Sequence, residues 1–149
     1  MNFWDSSAVV ALLVEQPGSK AVGRILAEDT SMWVWWGTRL ECVAALYRLG
    51  RERALSDSGV VSARSVLANL AAAWTEIDPS ATIRDNAEAL AVKYPLKAAD
   101  ALQLAAADLS LAGSADDSGF VCLDRQLASA ALAEGLRVSP SVSASRSRR

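Results

Sequence analysis

The sequence predicts an α/β fold, a small parallel sheet with helices on both of its faces. Short apolar runs alternate with longer helical patterns along the chain, as in repeated strand–helix units. The run Met32-Trp33-Val34-Trp35-Trp36 is apolar at every position, as expected of a strand covered on both faces. Alanine, the strongest helix former, dominates the helical stretches. At 149 residues and 52% hydrophobic, the chain suits one domain with a proper core.

Taken in order, residues 2–5 read as a first strand. Ser6-Ser7 then offer cap chemistry, and an apolar helix spans residues 8–14. Gln16-Pro17-Gly18-Ser19 is a turn. Residues 20–28 form a helix with Ala21, Val22, Ile25 and Leu26 on one face, broken by Asp29-Thr30-Ser31. The aromatic and β-branched run 32–36 is the second strand, ended by Gly37. Helices follow over 38–49, with Gly50 as terminator, and over 57–73. Trp74-Thr75-Glu76-Ile77 reads as a short third strand that stops at Asp78-Pro79. Residues 80–93 are helical up to Tyr94-Pro95, because the residue before proline avoids the helical region. The most alanine-rich helix spans 96–111, and a polar loop runs over 113–119. Phe120-Val121-Cys122-Leu123 is a buried type of strand, residues 124–134 a helix ended by Gly135, and Leu136-Arg137-Val138 a last strand. The domain is thus expected over residues 1–138, with 139–149 a disordered tail rich in serine and arginine.

Composition narrows the chemistry. The chain has no histidine, which closes the common routes to imidazole catalysis and zinc binding. Cys42 and Cys122 are the only cysteines and belong to no metal-type cluster, so both read as small buried thiols. The net charge is −2, and without the three terminal arginines 12 basic face 17 acidic side chains, a net of −5. Tight non-specific duplex binding is therefore not expected, although a local basic rim can still steer phosphate. No apolar run is long enough to span a bilayer, and the first residues lack a basic n-region, so a cytoplasmic protein is expected.

Four acids stand where a strand ends or a helix begins: Asp5, Glu41, Asp100 and Asp124. In a parallel sheet, ligands sit outside the carboxyl ends of the strands, so the four can meet at one edge. Converging carboxylates hold a hard cation such as Mg²⁺ or Mn²⁺ through oxygen, and the ion then works on a phosphate ester. Each acid also has a structural alternative. Asp5 and Asp124 could cap the helices that follow them. Thr38-Arg39-Leu40-Glu41 is a capping-box pattern, which taken alone is the better reading of Glu41. Asp100 sits among alanines and leucines, where an unpaired carboxylate is costly to bury, and there function is favoured.

The ordered set of motifs resembles the PIN-domain ribonucleases, and within them the VapC-like toxins of toxin–antitoxin pairs. It comprises Asp5-Ser6-Ser7-Ala8, Leu40-Glu41, Ala99-Asp100-Ala101-Leu102-Gln103-Leu104-Ala105, and Val121-Cys122-Leu123-Asp124-Arg125-Gln126-Leu127. The resemblance runs from Asn2 to about Val138. It implies a three-layer α/β/α fold and a metal-dependent endoribonuclease with Mg²⁺ or Mn²⁺. By this likeness Asp5, Asp100 and Asp124 would hold the ion, Glu41 would bind a metal-bound water or a second ion, and Ser7 would orient a ligand. Lys97, Arg125 and Arg39 are candidates for RNA contact, each weighed against a solvated surface charge. Two departures stand out: Cys122 replaces the family's frequent hydroxyl residue, and Gln103 its frequent histidine. A thiol is the weaker hydrogen-bond partner, which puts the positioning of Asp124 in question.

The resemblance also implies a small antitoxin seated in an apolar groove and a homodimer or toxin–antitoxin hetero-oligomer. The Trp33, Trp35 and Trp36 cluster reads first as strand core, with a base-stacking platform as the less favoured reading. Competing functions are a PIN-type processing nuclease without an antitoxin and a non-catalytic PIN-like module that binds RNA or protein. An aspartyl phosphotransferase is disfavoured because Asp5-Ser6-Ser7 lacks a second Asp two residues on.

Overall fold

The computed structural model describes residues 1–141. The chain runs β1 (Asn2–Trp4), α1 (Ser6–Leu13), α2 (Ser19–Glu28), β2 (Met32–Trp35), α3 (Thr38–Arg51), α4 (Asp57–Ala73), β3 (Thr75–Ile77). It continues through α5 (Ala81–Lys93), α6 (Ala98–Leu111), β4 (Gly119–Val121), α7 (Arg125–Ala133) and β5 (Val138–Ser139). The strands form one five-stranded sheet in the order β3-β2-β1-β4-β5, and every neighbouring pair is parallel. The predicted α/β class, with its central parallel sheet between helical layers, is therefore the observed one. From β1 the chain builds outward to β2 and β3, then returns to the other side of β1 for β4 and β5. The order thus switches direction between β1 and β4, and the crevice at their carboxyl ends is where open α/β sheets take ligands.

Side chains alternate across the sheet and supply two cores. Phe3, Trp35 and Phe120 face one layer, where Ile83 and Leu90 of α5, Leu104 of α6 and Leu127 of α7 pack. Trp4, Met32, Val34 and Val121 face the other, against Val9 of α1, Val22 of α2, Leu46 of α3 and Leu67 of α4. The register explains the split: Phe3 stands beside Phe120 and Trp33, and Trp4 beside Val34 and Val121. A slip of one residue would send each set to the wrong layer. Phe3, Trp4 and Phe120 are fully buried, each worth roughly 1.5–3 kcal/mol in removed apolar surface.

Boundaries differ from expectation for identifiable reasons. Ser6 and Ser7 lie inside α1, and Asp5 is the residue that caps it. α3 runs through Gly50 to Arg51, and the chain turns instead at Arg53, whose φ is +56. Trp74 ends α4 and donates its indole N–H to Glu76 Oε1 at 3.1 Å, so β3 begins one residue later. α6 starts at Ala98, because Lys97 keeps an extended backbone as its N-cap. Ser139, expected in the tail, belongs to β5 and pairs with Val121. The rest of the expected tail, from 142 onward, lies outside the described residues. Both cysteines are free and buried. Of the tryptophans in β2, Trp35 is buried and Trp33 half-buried, whereas Trp36, just past the strand, is 55% exposed. Among the described residues no helix is long and apolar enough to cross a membrane.

Candidate active site

Asp5, Glu41, Asp100 and Asp124 come from four places in the chain and line one cavity of about 650 Å³. Asp5 follows β1, with its backbone N–H bonded to Val121 of β4 at 2.9 Å, so it sits at the switch point itself. Asp124 follows β4. Glu41 occupies the first turn of α3, and Asp100 the first turn of α6.

Asp5 and Asp124 both cap the helices that follow them and both line the cavity. Asp5 Oδ2 accepts from the Ser7 backbone N–H at 3.1 Å and caps α1, while Asp124 Oδ1 accepts from Leu127 N–H at 2.9 Å and caps α7. Glu41 does not form the capping box that its motif suggested. Gly37 is the N-cap of α3 and no side chain caps it. The Glu41 carboxylate instead accepts from Gln103 Nε2 at 2.6 Å. The same Nε2 donates to Thr38 Oγ1 at 2.9 Å, so both amide hydrogens are used on α3.

Ser7 stitches the crevice together. Its hydroxyl donates to Asp5 Oδ2 at 2.5 Å and accepts from the backbone N–H groups of Leu123 at 3.0 Å and Asp124 at 3.3 Å. One side chain of α1 thereby fixes both the first carboxylate and the backbone of the last. That answers the question raised by Cys122. Its thiol donates to Asp5 Oδ2 at 3.7 Å and to the Asp124 carbonyl oxygen at 3.4 Å, adding weak bonds to those that Ser7 and Leu127 make with Asp124. Burial pushes the Cys122 thiol above its ordinary range, so it stays protonated.

The electrostatics are those of desolvated carboxylates that repel one another, eased at Asp100 by Lys97. Asp5 is buried and its pKa is raised to about 6, chiefly by loss of water; the Ser7 bonds pull it back, and the charges of Glu41 and Asp100 push it further up. Burial also raises Glu41, against the Gln103 hydrogen bond and the influence of the nearby Ser6 side chain, and Asp100 adds its repulsion. Asp100 is raised by burial and by Asp124, with Lys97 opposing. Asp5 Oδ1 is buried with no hydrogen-bond partner. An all-oxygen set with an unpartnered buried carboxylate oxygen fits the donor chemistry of a hard divalent cation. Yet among the described residues no group of three or more such side chains is disposed to hold an ion as it stands.

The predicted basic contacts fall elsewhere. Lys97 is exposed at the start of α6, near enough to bias Asp100, but does not line the cavity. Arg125 lines a neighbouring cleft with Leu123 and Pro140, which meets the acidic cavity at Asp124. Arg39 faces an apolar cleft with Trp36, Leu40 and Val43. The cations that do line the acidic cavity are Arg48 and Arg51. Sequence reasoning missed both, and it noted Gln103 only as a replacement. For Arg48 the signal was spacing: Glu41, Ala44, Ala45 and Arg48 share one helical face. For Gln103 there was none, since its partners lie 62 and 65 residues away.

Known structures share this architecture. VapC20 of Mycobacterium tuberculosis, described as a Sarcin-Ricin loop cleaving toxin, matches with a TM-score of 0.62 at 16% identity over 87% of this chain and 95% of its own. FitAcB of Neisseria gonorrhoeae matches with a TM-score of 0.62 at 17% identity over 93% of this chain and 96% of its own. A toxin–antitoxin complex from Klebsiella pneumoniae matches with a TM-score of 0.58 at 18% identity over 86% of this chain and 91% of its own. At such identity the likeness establishes the fold, which is PIN-like over nearly the whole domain. No family model matches the sequence, and no curated protein matches it significantly.

Proposed function

We propose that this protein is a metal-dependent endoribonuclease that acts as the toxin of a toxin–antitoxin pair. The observation that carries the reading is the meeting of Asp5, Glu41, Asp100 and Asp124 in one cavity at the switch point of the sheet. Asp5, Asp100 and Asp124 would hold Mg²⁺ or Mn²⁺. When bound, the cation would lower the pKa of water and offset charge growing on the phosphate oxygens. Ser7 keeps the Asp5 carboxylate aimed and ties it to the Asp124 backbone. Glu41, held by Gln103 Nε2, presents its carboxylate from the α3 wall, where it would bind a metal-bound water or a second ion. The cavity is open to a chain rather than closed round a small molecule, since exposed residues such as Ala44, Arg48 and Arg51 form part of its wall.

RNA as substrate is supported by the shared fold with a toxin that cleaves the Sarcin-Ricin loop. Single-stranded or looped RNA is also where bases can be reached. An antitoxin partner is supported by the toxin–antitoxin complex of the same fold. It is supported too by an apolar cleft on this chain, where Leu40 is 71% exposed beside Trp36 and Val43. We take the assembly to be a homodimer or a hetero-oligomer with that partner, working in the cytoplasm.

The test is incubation of purified protein with total RNA and Mn²⁺ or Mg²⁺, beside the Asp100→Asn variant. Discrete products that require the metal and vanish in the variant are expected. A folded protein that cuts no RNA with either metal would overturn the reading.

A further inference from the structure

We infer that Arg48 and Arg51 form a phosphate-binding wall that holds the RNA backbone to one side of the carboxylates. This rests on the nuclease reading above and says how its substrate is held. Along the α3 face toward the cavity the order is acid, small, small, cation: Glu41, Ala44, Ala45, Arg48. At 1.5 Å per residue, Arg48 stands about 10 Å and Arg51 about 15 Å beyond Glu41 along the helix axis. The two alanines leave the wall between them bare, so a chain entering at the arginines can run past them to the acids.

The bland reading is that both arginines merely complement the carboxyl end of the α3 dipole, since they lie in its last turn. That would hold wherever the side chains pointed, and it does not account for their lining the acidic cavity. Nor do they serve as counter-ions to it. Among the described residues neither joins an ion pair. Among the described residues, two cations thus stand in the cavity wall without an ion-pair partner, on a chain whose net charge is −2. The strip continues: Arg51 also lines an adjoining cavity of about 560 Å³ with Arg53, where Asp57 is the acid present. A guanidinium offers paired donors to phosphate oxygens. A phosphodiester chain satisfies both halves of the site, the arginines directly and the carboxylates through a cation. An acidic peptide could also meet the arginines, and the test below separates the two.

The test measures binding of a fluorescently labelled single-stranded oligoribonucleotide as salt is raised. It uses the Asp100→Asn chain in Mn²⁺, so that the RNA is not cut. Each lost phosphate contact flattens the slope of log affinity against log salt by about 0.7, so Arg48→Gln with Arg51→Gln should flatten it by about 1.4. Ala44→Glu, an exposed change to another good helix former, should weaken binding without lowering the melting temperature. In the otherwise native chain, the double variant should raise KM for RNA cleavage about tenfold, with kcat and Mn²⁺ affinity unchanged. An unchanged slope and KM in a chain that does cut RNA would overturn the inference and leave the nuclease reading standing. Loss of oligoglutamate binding in the double variant, with RNA binding intact, would assign the arginines to a protein partner and overturn it too. A native chain that neither binds nor cuts RNA would remove both readings together.

Discussion

Asp5 is the most strained group of the site: buried, half-satisfied and facing other acids. Its folded-state pKa of about 6 lies above the ordinary 3.8, so the native protein holds the proton more tightly than the unfolded chain. The penalty is absent below the unfolded value, grows as pH rises through the interval, and is complete above the folded value. About two units correspond to roughly 3 kcal/mol. Metal-free protein should therefore lose stability between pH 4 and pH 6, and Asp5→Asn should remove most of that slope in pH-dependent calorimetry. A divalent cation binds the ionised form, so its stabilising effect should grow over the same window. Glu41 shows how a local motif misleads. Thr38-Arg39-Leu40-Glu41 has the letters of a capping box, but an isolated four-residue pattern cannot register a buried amide arriving from α6. Gln103→Leu should lower stability by about 2 kcal/mol, because the Glu41 carboxylate and Thr38 hydroxyl lose their donor. It should weaken cleavage more than Thr38→Val, which leaves the Glu41 bond intact. Equal activity in the two variants would remove Gln103 from the site.

At the level of elements, the order of strands and helices was legible because each has a local cause: apolar continuity for β2 and β4, alanine for α6, proline before it. Ends were less legible where the cause is tertiary. α3 continues through Gly50 because a helix can carry a glycine when packing holds its flanks, and here Leu46 is fully buried in the turn before. The double duty of Asp124 gives a prediction at this scale. It caps α7 and lines the cavity, and the roles separate by substitution. Asp124→Ala should lose both, costing about 1 kcal/mol as a lost cap. Asp124→Ser should recover that stability, because its hydroxyl can accept from Leu127 N–H, and should stay inactive. Chemical denaturation measures the first effect and RNA cleavage the second. Recovery of cleavage by serine would reduce Asp124 to a structural cap.

For the whole molecule, the alternation of side chains across the sheet builds two cores and leaves the carboxyl ends of β1 and β4 free to present acids. Sequence pattern alone suggested that Asp5 and Asp124 would share an edge, since both directly follow strands. Only the switch in strand order shows that those strands are neighbours. The arginines of α3 escaped notice because charge at the end of a helix usually faces water, and the one local sign, the helical face that Arg48 shares with Glu41, does not itself say that this face borders a cavity. The most direct measurement is metal-dependent RNA cleavage by the four carboxamide variants, Asp5→Asn, Glu41→Gln, Asp100→Asn and Asp124→Asn, each with its melting temperature. Each should remain folded and lose about 100-fold or more in rate, because each removes a charge from the set that would hold the ion or orient water. Undiminished, chelator-insensitive cleavage in all four would contradict the assignment of this cavity as the active site.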